Sequence, residues 1–409
     1  MKKSYDIVIA GGGTAGVSCA WNSAKRGLKT LIIEKNSFLG GSITSSLVIP
    51  AMKTSDNAIN TDFFSALYDK LYSLGGAITY EDGNKGWFNP ELTKIALDIL
   101  MQEVGCEVQF EDEILSISTE LIDGNNSFVF QTRLLNSIET KYFVDATGDA
   151  KICEKLNCKF LEKSDETQPK NLRFIMSGVN VEEFSDWLMS FDTDRNVTTS
   201  CSVGGKIYLS TAYTWDEGAK WALKPLFEQA IADNVITGED SNYFQVFSVA
   251  GTIDSIAFNA PRLIHNQGYA EARMAILRLS NFCKKYLPGF KNAQISSIAN
   301  SMGVRVSRRV RGKYIYTYDD LIQGKIFDNP VLISNYPVDI HSDKKDGSTL
   351  QKVYKEYQLP IESLIAEGYD NLFMIGRCIS ADFKAQGALR IIPSCFSMGE
   401  GLAKYLAKI

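Results

Sequence analysis

Gly11, Gly13 and Gly16 in the stretch IVIAGGGTAG fit the spacing G-x-G-x-x-G, and Glu34 follows at a distance suited to a ribose contact. Gly11 allows a tight turn. Gly13 lets backbone approach a pyrophosphate, and Gly16 lets a helix pack closely on a strand. Thr14 and Ala15 then begin a helix whose free N–H groups and dipole attract an anion. A carboxylate at Glu34 accepts hydrogen bonds from an adenosine ribose and repels a 2′-phosphate, which disfavours NADP here. Nicotinamide and flavin dinucleotides share the ADP half, so this fingerprint alone leaves both open.

A second chemical cluster is VRVSRRVRGKY, with Arg305, Arg308, Arg309 and Arg311. Read as a strand, it puts Arg305, Ser307 and Arg309 on one face and Arg308 on the other. Guanidinium forks suit carboxylates and phosphates. Two readings stand for Arg305 and Arg309: a clamp on an anionic substrate or pyrophosphate, or a solvated, salt-bridged strand. His341 ends YPVDIH and is a candidate proton acceptor or a structural histidine. His265 is open to the same two readings. Arg390, in GALRIIPS, binds a substrate carboxylate, supports a cofactor, or joins a distant salt bridge. With only two histidines, a histidine-rich metal site is not expected, and no metal is assigned. The eight cysteines form no C-x-x-C. Cys153 and Cys158 are spaced C-x-x-x-x-C, but far from the glycine loop where a redox pair of disulfide reductases belongs. Cys378 and Cys395 lie closer to the expected site, and packing is the favoured role for all four.

These residues need elements to hold them. Tyr5–Ala10 reads as a buried parallel strand, Thr14–Arg26 as a helix closed by Gly27, and Thr30–Ile33 as a second strand. Together they form a βαβ unit. Thr61–Leu74 is amphipathic. Asn89-Pro90-Glu91 supplies an N-cap, a proline at the first helical position and a first-turn acid for a helix to about Val104. Cys106–Phe110, Glu113–Glu120, Ser127–Leu134 and Thr140–Ala146 read as strands of a small antiparallel meander, with a turn at 123–126. Later come strands at Lys206–Ala212 and Tyr243–Ala250, helices at Asp216–Ala232 and Tyr269–Lys285, a buried strand in NLFMIG and a last helix at Pro393–Ala407. The expected fold class is α/β: a Rossmann-like domain with a parallel sheet and β-meander crossover, plus a second α+β substrate domain. The first domain is expected to be discontinuous, 1–162 and 363–409, around a substrate or cap domain at 163–362.

The 409 residues carry 43 Lys+Arg against 48 Asp+Glu, for a net charge of −5, which argues against a general nucleic-acid surface. No apolar run reaches the roughly 18 residues of a membrane span. The apolar stretch behind Met1-Lys2-Lys3 is too short for a signal peptide and ends in glycines, so a cytoplasmic location is expected. The oligomeric state is not readable.

The order LGGSITS, VDATGDA and NLFMIGRCIS resembles the FAD-dependent oxidoreductases of the glutathione-reductase-like superfamily. NSMGVRVSRRVRGKYIYTYDDLIQGKIFDN, YPVDIH and GALRIIPSCFSMGEGLA resemble a bacterial family of FAD-dependent oxidoreductases of broad annotation. The resemblance covers nearly the whole chain and implies non-covalent FAD. By that resemblance Gly11, Gly13, Gly16 and Glu34 hold the ADP half, with Lys35 beside the adenosine. Gly40, Gly41 and Ser42 run near the pyrophosphate, ribityl chain and isoalloxazine. Ala146, Thr147 and Gly148 pass under the adenine side. Gly376 and Arg377 lie near the ribityl and pyrophosphate. Ser394, in the first turn of the last helix, points at the flavin pyrimidine edge, where helix N–H groups stabilise negative charge.

No second G-x-G-x-x-G appears: SVGGK and SLGGA do not fit. The expected activity is hydride transfer between flavin N5 and a small polar, anionic-type organic substrate, with an unidentified electron acceptor or donor as the other partner. Arg305, Arg309, His341 and Arg390 are the substrate-side candidates. A monooxygenase reduced by free NAD(P)H is the alternative enzyme. A non-catalytic binding protein on the same scaffold is the alternative of another class.

Overall fold

A computed structural model describes residues 3–79, 85–122, 125–161, 167–191, 198–211, 223–263, 267–341 and 349–409. Strand β1 (Lys3–Ala10) runs into a glycine turn, helix α1 (Thr14–Lys25) and strand β2 (Thr30–Ile33). Helix α2 (Asp62–Ser73) buries Phe63, Leu67, Tyr68 and Leu71, the amphipathic face expected of it. Helix α3 (Pro90–Glu103) starts as its sequence dictates. The Asn89 side chain accepts the Glu91 and Leu92 N–H groups at 3.0 and 3.1 Å.

Strands β3 (Glu107–Gln109), β4 (Ile114–Ile122), β5 (Asn125–Thr132), β6 (Ile138–Asp145) and β7 (Leu372–Met374) complete the first sheet. Its order is β3-β2-β1-β6-β5-β4, with β7 also paired to β6. β1 pairs in parallel with β2 and β6, and β7 in parallel with β6. β4, β5 and β6 form the antiparallel meander. One expectation is corrected here. β3 does not join the meander; it pairs in parallel with β2 at the far edge, because Leu31–Ile33 still has an unpaired side to offer.

The register decides where the chemistry goes. Ala10 lies opposite Ile33 and Asp145, and Asp145 opposite Met374. Four strands therefore end at one level, and their following residues, Gly11, Glu34, Ala146 and Ile375, meet in a crevice at the carboxyl ends of the strands. Helix α4 (Phe383–Leu389) and helix α5 (Ile392–Leu406) follow β7. α5 crosses α1 closely. A Cβ on Gly399 would lie 2.3 Å from the Ala15 carbonyl oxygen, and the Ser18 hydroxyl donates to the Phe396 carbonyl at 2.7 Å.

A second sheet has six antiparallel strands, in the order Thr198–Val203, Lys206–Thr211, Val246–Ser248, Ile256–Phe258, Phe174–Ser177 and Gln294–Ile298. Its core includes Phe174 stacked on Phe258 with ring centroids 4.4 Å apart, and the buried face of the helix Tyr269–Tyr286. The strand within Tyr243–Ala250 is confined to Val246–Ser248, so Tyr243 and Gln245 lie before it. The helix read from Asp216 begins at Lys224, and its earlier portion lies outside the described residues. Tyr316, Leu332, Tyr357 and Leu359 pack into the same core as Val17 and Phe396.

Arg305–Arg311 is not a strand. Among the described residues it takes part only in isolated bridges, Val310 with Phe160 within it, and Gly303 with Asn171 and Gly312 with Ala366 on either side. Among the described residues no neighbour runs alongside for long enough to make a ladder. The alternation of faces survives all the same: Arg305 and Arg309 are buried, while Arg308 pairs with Glu154 at the surface. Among the described residues no helix is long and apolar enough to cross a membrane.

Candidate functional site

A cleft of about 1500 Å³ runs from the ends of β1, β2 and β6 to the second sheet. At its first end, Gly11 turns with φ +102°, and a Cβ there would stand 2.6 Å from the Ala146 carbonyl oxygen. Only glycine satisfies both demands. The Gly40 N–H donates to the Gly12 carbonyl at 2.8 Å, which lays the loop at 40–42 against the first glycine turn. Gly13 differs from its neighbours. A Cβ on it would meet nothing of the protein but the Gly41 Cα at 3.9 Å. Its free side is open cleft.

The N-cap of α1 is Gly13, with no side-chain cap hydrogen bond, so the first-turn amides face the cleft uncapped by any side chain. Glu34 is buried. One oxygen accepts the Gly12 N–H at 2.7 Å and the other accepts the Asn36 N–H at 2.9 Å. A carboxylate retains further lone pairs beyond these contacts. Lys35, Gly41, Ser42, Ala146, Thr147, Gly148, Gly376 and Arg377 line the same cleft. Arg377 straps two loops together. It donates to Asp149, to Ser307 at 3.2 Å and to the Val304 carbonyl at 3.3 Å. Gly16 and Gly40 support the walls from behind and do not line the space; Ser394, fully buried in the first turn of α5, does not line it either. Ile391 and Ile392, at the start of α5, do.

The other end of the cleft is cationic. Arg305 and Arg390 reach it, joined by Arg173, which no sequence motif announced. Arg305 donates to the Pro169 carbonyl at 2.7 Å. Arg390, at the end of α4, contacts the Asp339 carboxylate at 3.3 Å and the Asp339 carbonyl at 3.0 Å. Burial and the neighbouring Arg390 push the Arg305 guanidinium down to about 9, and burial pushes Arg173 down to about 10. Arg309 is not brought to the cleft; it turns away and donates to the Ala381 carbonyl at 3.2 Å.

His341 also lines the cleft, almost fully buried. Arg262 lies 3.0 Å from Nδ1, and the Asp339 carboxylate 3.3 Å from Nε2. Arginine has no acceptor, so Nδ1 accepts and the ring hydrogen sits on Nε2, facing Asp339. Burial, with Arg305 nearby, holds the imidazole pKa down to about 3. The ring is neutral at ordinary pH and both nitrogens are engaged. Asp339 is held well below the carboxylate range by His341 and Arg390 despite its burial. Arg262 also stacks 4.1 Å over the Tyr243 ring. His265 lies outside the described residues.

Cys395 lines the cleft, but burial pushes its thiol up to about 12. Cys378 is fully buried and is also pushed up. Neither is a thiolate at neutral pH. Sequence reasoning missed Arg173, Arg262, Asp339 and Tyr243. A signal existed for the first: Arg173 interrupts the apolar run NLRFIM, where an unpaired charge is costly without a purpose. Asp339 sits inside YPVDIH, beside the histidine that drew attention.

Residues 6–407 match the family described as FAD dependent oxidoreductase. A digeranylgeranylglycerophospholipid reductase of Methanococcus vannielii is 26% identical over 154 residues, 36% of this chain and 39% of that protein. A soluble pyridine nucleotide transhydrogenase of Hahella chejuensis is 29% identical over 154 residues, 35% of this chain and 30% of that protein. The chain thus spans well under half the length of these curated relatives. Among solved structures, glycine oxidase from Geobacillus kaustophilus aligns over 100% of this chain and 95% of its own, at 12% identity and a TM-score of 0.48. The cleft fits an FAD on its own geometry. It offers an open cradle at Gly13, an uncapped helix N-terminus for a pyrophosphate, and an acidic acceptor at Glu34 for a ribose.

Proposed function

The chain belongs to the FAD dependent oxidoreductase family, and on that premise we propose that this enzyme moves hydride between a small anionic organic substrate and the N5 atom of non-covalent FAD. Bound FAD supplies the two-electron exchange. The order of its glycine motifs supports assignment to the glutathione-reductase-like superfamily.

The chain's own residues divide the work. The first-turn amides of α1, with Gly13, Gly41 and Gly376 clearing the way, hold the pyrophosphate. Glu34 holds the adenosine ribose, with Lys35 beside it. Arg377 fixes the loop carrying Ala146, Thr147 and Gly148 against the neighbouring segment. Arg305 and Arg390 bind the substrate's negative group and orient it. His341 is a positioning residue: it accepts from Arg262, faces Asp339, and so keeps Arg390 aimed into the cleft.

One observation carries this reading. Arg305 is buried in the same cleft as the glycine cradle and makes no ion pair among the described residues; the carboxylate that feels its charge, Asp339, is already engaged by Arg390. A guanidinium removed from water without a counter-charge is costly, and an anionic ligand offsets that cost. The test is steady-state kinetics of Arg305→Gln and Arg390→Gln with a substrate found by anaerobic screening of anionic hydroxy and amino acids. Each charge-assisted contact is worth about 1.5–3 kcal/mol, so kcat/KM falls roughly 10- to 100-fold while FAD content is unchanged. Unaltered kcat/KM in both variants overturns the assignment.

A further inference from the structure

We infer that the substrate is a dicarboxylate, with one carboxylate at Arg305 and Arg390 and the other at Arg173. The inference rests on the reading above, that an anion occupies the arginine end of the cleft. Three guanidiniums, Arg173, Arg305 and Arg390, line this end, and among the described residues the one carboxylate in contact with any of the three is Asp339, on Arg390. His341 is neutral and offsets nothing. A monoanion leaves this buried cluster with a net positive charge. A dianion brings it close to balance.

The donors also ask for two anchor points. Arg173 is buried; among the described residues it reaches the Leu47 carbonyl, at 3.4 Å, and the face of the Phe247 ring, 5.9 Å away. Its Nε is buried with no hydrogen-bond partner among the described residues. The Nε of Arg390 and the Nε2 of Gln168 are in the same condition. Buried donors are almost always satisfied in a working structure, so these await a ligand. Arg173 immediately precedes the strand Phe174–Ser177 of the second sheet, and Arg390 follows the end of α4. Two unsatisfied donors on separate bodies suit two separated carboxylates better than one phosphate. Tyr243, Phe247 and Tyr336 line the space they share, a surface suited to a short carbon chain.

The holoenzyme tests this through the visible spectrum of its bound FAD, titrated with succinate, glutarate, butyrate and inorganic phosphate. The expected result is that one dicarboxylate binds at least about tenfold more tightly than butyrate. Arg173→Gln abolishes that preference and leaves FAD content and butyrate binding in place. Arg173→Lys, which keeps charge without the fork, recovers part of it. If butyrate and both dicarboxylates bind alike to the wild type, the dicarboxylate inference falls and the anionic-substrate reading stands. If no anion perturbs the spectrum, both fall. If phosphate binds more tightly than either dicarboxylate, the site is one for a phosphate ester and the inference is overturned.

Discussion

On the proposed reading, cofactor retention turns on two single residues, Gly13 and Glu34. Since a Cβ at Gly13 projects into open cleft, Gly13→Val should fold but fill the place proposed for the pyrophosphate. The variant should purify without FAD, and full flavin occupancy would show that the phosphate grip lies elsewhere. Glu34→Gln keeps an acceptor but loses charge, and its effect should be smaller, about 1–2 kcal/mol of FAD affinity by equilibrium dialysis. His341 gives a prediction in pH. Its folded pKa of about 3 lies below the ordinary histidine value, so the unfolded chain takes up a proton first as pH falls. Stability is complete above about pH 6.5 and declines below it, by on the order of 2 kcal/mol at about pH 5. Urea unfolding of wild type and His341→Gln across that range should show a shallower decline in the variant. Identical slopes would mean that His341 titrates freely in the folded protein. At this scale the glycine fingerprint and Glu34 were legible because each has a local steric or ionic reason. Arg262 and Asp339 were not, because their meaning depends on a histidine reached only through the fold.

Among the elements, the crossing of α1 and α5 carries the most strain-sensitive contact. Gly399 lets α5 approach the Ala15 carbonyl and the Cys19 N–H so closely that a methyl group has no room. Gly399→Ala must push the helices apart and tilt the α1 N-terminus away from the cleft. The expected cost is about 1–3 kcal/mol in thermal unfolding, with weaker FAD binding beside it. An unchanged melting temperature would show that the two helices slide without cost. The βαβ unit and the cap of α3 were legible from period and capping chemistry, and they formed almost to the residue. The Arg305–Arg311 segment reads as a strand by alternation, yet strand identity also needs a partner. Only tertiary structure decides whether one is present. The same limit explains β3, whose pattern is that of a strand but whose neighbour, β2, lies more than seventy residues earlier in the chain.

At the scale of the whole molecule, an acidic protein of net charge −5 keeps a cationic pocket in its interior cleft. The cleft is walled by both sheets, so a ligand that fills it links them. FAD at a hundredfold excess over its Kd should raise the unfolding free energy by about 2.7 kcal/mol, read as a shift in melting temperature between apoprotein and reconstituted protein. The absence of any shift would mean that FAD does not prefer the folded state. The order of the second sheet was not legible in the sequence, because each antiparallel pairing joins segments that no local pattern relates. That pairing is also what carries Arg173 to the cleft opposite Arg390. The account rests most directly on anaerobic absorption spectroscopy of the holoenzyme mixed with hydroxy and amino acids and with their methyl esters, which lack the carboxylate charge. Bleaching of the flavin by an acid, with its ester inert, is the result expected. Bleaching by the esters alone, or only by NAD(P)H, would contradict it.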